Sequence, residues 1–220
     1  RVIKHQLALV ALRNRAITLS VCTTGSVTLA ATTTGYTRAS GSFLADGFVV
    51  GQEITPTGFA ANTVAVITAV AALTLTVATA RAAETSAAAR TIAVGLPALR
   101  AWENLDFTPT AGRWWVEEDY LPGPVAQITL GPLGQVETLP QYVLKLYGLA
   151  NTSTAALFAM ADALLLLFPP RQGIVLSDTN VVIVNTNPAP YRGQLVQSTD
   201  GAWAVITITV PCIVRSANSI

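Results

Sequence analysis

The composition of this chain changes twice, near Thr23 and again near Leu96, and those two breaks most restrict how it can fold. Between Thr23 and about Val94 the residues are mainly Thr, Ala, Val and Gly, with few charges and no tryptophan; all four tryptophans and most prolines follow Leu96. Ser26-Val27-Thr28-Leu29-Ala30, Thr63 to Thr68 and Leu73 to Val77 alternate or are β-branched. Gly35, Gly41, Gly47, Gly51 and Gly58 punctuate them at turn spacing. The pattern predicts a small all-β domain over residues 23–96, inserted into a second domain made of residues 1–22 and 97–220. Phe43, Phe48, Ile54 and Phe59 supply its large core side chains, with Gly47 and Gly51 making tight turns on either side of a strand.

The second domain reads as α+β, a mixed and mainly antiparallel sheet flanked by two helices. One helix is expected from Val2 to Arg15. Strands are expected near Leu99 to Trp102, from Trp114 to Tyr120, and as a pair, Ala126 to Leu130 and Thr138 to Tyr147, joined through Gly131-Pro132-Leu133-Gly134. Thr152 or Ser153 can cap a second helix, whose apolar positions Leu157, Ala161, Leu164, Leu165 and Phe168 recur at helical spacing. Pro169-Pro170 ends it. Strands from Asn180 to Val184 and Ala202 to Val210 complete the sheet. The last is apolar on both faces, which predicts a position near the middle of the sheet.

Charge and cysteine usage exclude several classes. The 220 residues are 51% hydrophobic and only 11% charged, against about 25% in an average soluble domain, as expected of a surface partly covered by neighbours. The net charge of +1 comes from scattered Lys and Arg, not from the basic stripe that grips phosphates. Cys22 and Cys212 lie at opposite ends and predict neither a disulfide framework nor a zinc site. The longest apolar run, Ala155 to Phe168, is broken by Asp162 and is shorter than the ~20 residues that span a bilayer. Leu7 to Leu12, closed by Arg13 and Arg15, predicts a short amphipathic helix and not a signal peptide.

No residue pattern calls for chemistry, and no catalytic, cofactor or metal site is expected. His5 is the one histidine and has no ligand or base partner nearby in sequence. Glu117, Glu118 and Asp119 form the densest carboxylate cluster, but on a strand only Glu117 and Asp119 share a face. Gly131 to Gly134 is not a phosphate loop, because no Lys-Ser or Lys-Thr comes after it. Asn151-Thr152-Ser153 matches a glycosylation sequon but is better explained by helix capping. Trp114 and Trp115 are adjacent and must face opposite ways; an indole left exposed would be an anchor between subunits. Arg113 and Trp102 are the next contact candidates.

The order of elements resembles the tail-terminator-like proteins of long-tailed bacteriophages. The resemblance rests on Trp102-Glu103-Asn104 with Phe107 and Pro109, the aromatic strand at Gly112-Arg113-Trp114-Trp115-Val116, the Leu121-Pro122-Gly123 turn, the Leu-rich helix and the final aromatic strand. It covers about residues 1–22 and 97–212. Ser42 to Ile54, Gly58-Phe59 with Asn62, Val66 to Val70 and Leu73 to Leu75 likewise look like a small β-domain inserted in phage tail proteins. The resemblance implies a structural protein without enzyme activity or cofactor, assembled in the host bacterial cytoplasm and found in the virion at the head-proximal end of the tail. It implies a homo-oligomeric ring of six that caps the tail tube, stops its growth and docks head-completion or stopper proteins. Glu117 and Asp119 would face a lumen through which DNA passes without specific binding, and no membrane is involved. Another connector, minor tail or tube component is the alternative reading; a glycan-binding module is a third, weakened because residues 23–96 offer only Tyr36 and no tryptophan as a platform.

Overall fold

The computed structural model describes all residues except 1, 26, 103–105, 130–133, 153, 178–179 and 218–220. Among the described residues two sheets account for every strand. The first holds β1 (Cys22–Thr23), β2 (Val27–Thr32), β3 (Gly35–Arg38), β4 (Glu53–Thr57), β5 (Ala65–Val70), β6 (Thr74–Val77) and β7 (Glu84–Val94). Strand β7 pairs with β2 through its first half and with β4 through its second, so the order β7-β2-β3-β6-β5-β4 closes on itself as a six-stranded barrel. A barrel this narrow is filled by side chains, which accounts for small and β-branched residues between a few large ones. Leu29, Tyr36, Ile54, Ile67, Leu75 and Ile92 are fully buried.

Phe43 and Phe48 lie in the loop between β3 and β4, and no strand stands between Gly47 and Gly51, where one is expected. Both are buried and meet edge to face with centroids 5.5 Å apart. Between them the chain turns back on itself, and Phe48 N donates to Phe43 O at 3.1 Å. Phe59 is only partly buried and packs against this core from outside.

The second sheet is built around β16 (Trp203–Ala217). Its first half lies between β12 (Gln141–Leu149) and β15 (Tyr191–Gln197); its second half lies between β11 (Gln135–Thr138) and β14 (Asn180–Val184). Beyond β12 come β9 (Trp115–Leu121) and then β8 (Arg100–Trp102), the one parallel pairing among the described residues. Beyond β11 lies β10 (Val125–Gln127), and beyond β14 lies β13 (Gly173–Ser177). The final strand is therefore central, as its two apolar faces require.

The strand expected from Thr138 to Tyr147 is divided at Leu139-Pro140. Pro140 and Pro211 stand where β16 changes partner from β12 to β11, and Cys212 N donates to Pro140 O at 2.9 Å. Neither proline has a ladder N–H to lose, so both fit a crossing point. Nearby, the Leu121-Pro122-Gly123 turn runs so close to Leu139 that a Cβ on Gly123 would lie 1.8 Å from its carbonyl oxygen. Strands β13 and β15 were not expected from the sequence. The expected turn at Gly131-Pro132-Leu133 lies outside the described residues, though β10 and β11 pair as a hairpin on either side.

Helix α1 (Val2–Ala16) packs against β13 and α2, and α2 (Thr154–Leu167) against β12, β15 and β16. On α2 the buried positions Ala156, Leu157, Met160, Ala161 and Leu164 follow the helical period. Thr152 does not cap it; its hydroxyl donates back to Leu149 O at 2.7 Å. Ser153, the other cap candidate, lies outside the described residues. Arg15 Nε instead closes the far end, donating to Leu167 O at 2.9 Å.

The buried side chains of barrel and sheet form one continuous cluster. At their junction Trp114 N donates to Gly51 O at 2.9 Å. Gly51 has φ +88°, and a Cβ there would lie 2.7 Å from Trp114 Cδ1 and 2.9 Å from Leu149 Cδ1. We predict that Gly51→Val lowers stability by about 2 kcal/mol or more, since it adds backbone strain and overpacks the junction. Urea unfolding checks this, and an unchanged midpoint would show that the junction yields.

Candidate functional site

Strand β9 sets the chemistry of both faces of the second sheet. Alternation sends Trp115, Glu117 and Asp119 to one face and Val116, Glu118 and Tyr120 to the other, beneath the helices. On the helix side, the Glu118 side chain is fully buried. It accepts from Arg13 Nε of α1 at 2.7 Å and from Arg100 Nη1 of β8 at 3.2 Å. The Arg13 guanidinium also lies over the Trp102 ring, 3.6 Å from its centroid. Trp102 is thus half-buried under the first helix.

On the open face, Lys145 Nζ donates to Glu117 Oε1 at 2.6 Å and stands 3.2 Å from Asp119 Oδ2. Tyr147 Oη donates to the other Glu117 oxygen at 2.7 Å. Burial raises the Glu117 pKa, but these two bonds outweigh it and leave the carboxyl below its ordinary 4.5. Burial lowers the Lys145 pKa, and its two carboxylate partners outweigh that, leaving it raised.

The same face carries an aromatic cluster at its upper end. Trp115 stacks on Tyr147 with centroids 3.6 Å apart and meets Trp203 edge-on at 6.0 Å and Phe107 at 4.8 Å. Neither adjacent indole is an exposed anchor: Trp114 is 2% exposed and Trp115 is 7% exposed. Trp114 packs under Gly51 and beside Gly148. Arg113 pairs with Glu53 of β4, so it ties the sheet to the barrel.

The structure thus unites Trp115, Glu117 and Asp119 on one face, and places Arg113 and Trp114 at the barrel junction and Trp102 beneath α1. Sequence reasoning missed Lys145, Tyr147, Arg13 and Arg100, whose roles depend on strand register and helix placement. Tyr36, the one candidate glycan platform of the barrel, is 1% exposed. Among the described residues no three His, Cys, Asp or Glu side chains are grouped to hold a metal ion, and no helix is long and apolar enough to cross a membrane. Cys22 and Cys212 are free thiols, each pushed up to about 12 by burial.

The charged groups on the two faces of β9 are thus paired with neighbouring elements and hold them in place. A family model described as phage tail terminator protein matches residues 65–211, about two thirds of the chain, beginning at the first residue of β5. The chain belongs to that family, whose members are structural proteins of the phage tail. No curated protein and no solved structure gives a significant match.

The two faces of β9 can be tested separately. Glu118→Ala strands two arginines that are 23% and 14% exposed, and is expected to cost about 3 kcal/mol in chemical unfolding. The lowered Glu117 pKa gives stability that is complete above 4.5 and is lost as pH falls below it through the folded value. Thermal melting of Glu117→Gln should therefore decline less than the parent's over that acid range; parallel curves would remove Glu117 from the acid response.

Proposed function

We propose that this protein ends tail growth by forming a ring of six on the last ring of the tail tube and then offers a docking face to head-completion or stopper proteins. The family match across residues 65–211 carries the reading. A head-to-tail contact repeated about a rotation axis closes into a ring with two different faces, one for the tube and one for the head side. Occlusion of a growing end needs shape and adhesion, and no reacting group.

The open sheet face is the candidate lining of the passage. Two carboxylates and one ammonium leave the Glu117, Asp119 and Lys145 trio with a net charge of −1, which repels phosphate and lets DNA pass without specific binding. Residues 23–96 would be an insertion that carries the barrel on a terminator domain of residues 1–22 and 97–220. The protein would be assembled in the host cytoplasm and end up at the head-proximal end of the tail.

Electron microscopy of lysates from a phage with a stop codon in this gene tests the role. Abnormally long tubes without heads are expected. Tails of normal length would overturn termination and move the protein to a connector, minor tail or tube component.

A further inference from the structure

The second sheet has four border strands, and they are not alike. Strand β13 packs against α1, and all three residues of β8 are buried or half-buried. Strand β10 is three residues long, and its Gln127 already has a partner. Strand β15 is different. It runs for seven residues, six of them exposed, and has a ladder partner on one edge only. Border strands of soluble proteins are usually blunted by lysine, proline, free charge or brevity, and β15 has none of these. Its single charge, Arg192, is turned toward α2, where it pairs with Asp162 at 2.8 Å and lies over the Phe158 ring.

The register decides which of its main-chain groups are open. Ser198 N donates to Trp203 O at 2.9 Å, and from Leu195 to Gln197 the pairing with β16 is regular. Antiparallel pairs alternate between hydrogen-bonded and non-hydrogen-bonded, so Val196 bonds to Val205 while the N–H and C=O of Leu195 and Gln197 point away from β16. Neither residue has a main-chain partner on that outer side among the described residues. Leu195 stands opposite Ile206 on the helix side, and Val196 opposite Val205 on the open face. Val196 is 61% exposed.

We infer that β15 pairs antiparallel with β15 of a second copy, so that the free chain is a two-fold dimer with one sheet running through both subunits. The inference goes beyond the ring reading and does not rest on it. A contact between unlike borders needs two open borders, and among the described residues no other is as long and as exposed; a two-fold contact uses one border twice. Self-pairing also sets the register. When the open groups of Leu195 and Gln197 in one copy meet those of Gln197 and Leu195 in the other, Val196 faces Val196 across the axis. That is a non-hydrogen-bonded position, where opposed side chains come closest. The same register carries Arg192 of one copy toward the turn that holds Asp200 of the other, and these charges are opposite in sign. A specific contact usually takes about 800 Å² from each partner. One seven-residue border gives less, so the pair is weak and concentration-dependent, and it covers the border before assembly.

Sedimentation of the purified full-length protein over a range of concentrations tests the pairing. The parent is expected to pass from one chain to two as concentration rises. Val196→Lys sets two ammonium groups against each other and should weaken pairing by about tenfold or more. Its melting temperature should match that of the single-chain parent, because Val196 is solvent-facing there. Cross-linking reads the axis itself. Non-hydrogen-bonded partners have Cα atoms about 4.5 Å apart, within the ~4.4–6.8 Å that a disulfide spans. Val196→Cys should therefore oxidise to a covalent dimer much faster than Leu73→Cys, a change at a barrel residue that is 47% exposed. A parent that sediments as one chain throughout, a pair that Val196→Lys leaves intact, or equal oxidation of those two variants would overturn the contact. The ring reading is decided separately, by tail length in the stop-codon phage.

Discussion

Everything in the second sheet depends on one strand that keeps hydrogen-bonding partners on both edges while changing both of them midway. Strand β16 runs for 15 residues, about three times the commonest strand length, and its inward residues Ile206, Ile208, Val210, Cys212 and Val214 are almost wholly buried. A strand with apolar side chains on both faces has no stable place at a surface, so the chain must wrap it. Pro211 sits at the exchange of partners, where its missing N–H costs no ladder bond. The upper and lower halves of the sheet are then set relative to each other by covalent continuity.

The barrel repeats that solution on a smaller scale. Strand β7 gives its first half to β2 and its second half to β4, and that exchange closes the cylinder. Closure removes the open edges that a Thr- and Val-rich sheet would otherwise show. The contrast with the second sheet is informative: the six strands of the barrel close on themselves, while the second sheet ends, among the described residues, on the border strands β8, β10, β13 and β15.

Much of this was legible in the residues. The two helices, the central last strand and the aromatic strand at Trp115 follow from period, β-branching and apolarity, which are local properties. Tyr191 to Gln197 escaped because a border strand open to solvent needs no alternation, and its Gly193 and two glutamines read as loop. The Thr138 to Tyr147 run reads as one strand because both its parts carry the strand pattern and its register against β16 is unbroken; the division comes from Pro140, which has no ladder N–H and lies where β16 changes partner. Glu117 and Asp119 could be assigned to one face by alternation alone. That Lys145 would stand between them could not be read, since it depends on the register of β12 against β9. Alternation sets Glu118 on the face opposite Glu117 and Asp119; only the placement of α1 over that face makes it the buried anchor of two arginines.

The double pairing of β16 also decides how the protein bears load. In antiparallel ladders the hydrogen bonds run across the strand direction, so a pull along β16 stresses the bonds on both flanks together and cannot open them one after another. A strand held in this way fails by shear and not by unzipping. The molecule is therefore stiff along the line of β16 and compliant at its one-sided borders, so tension carried through the chain would be felt first at those borders.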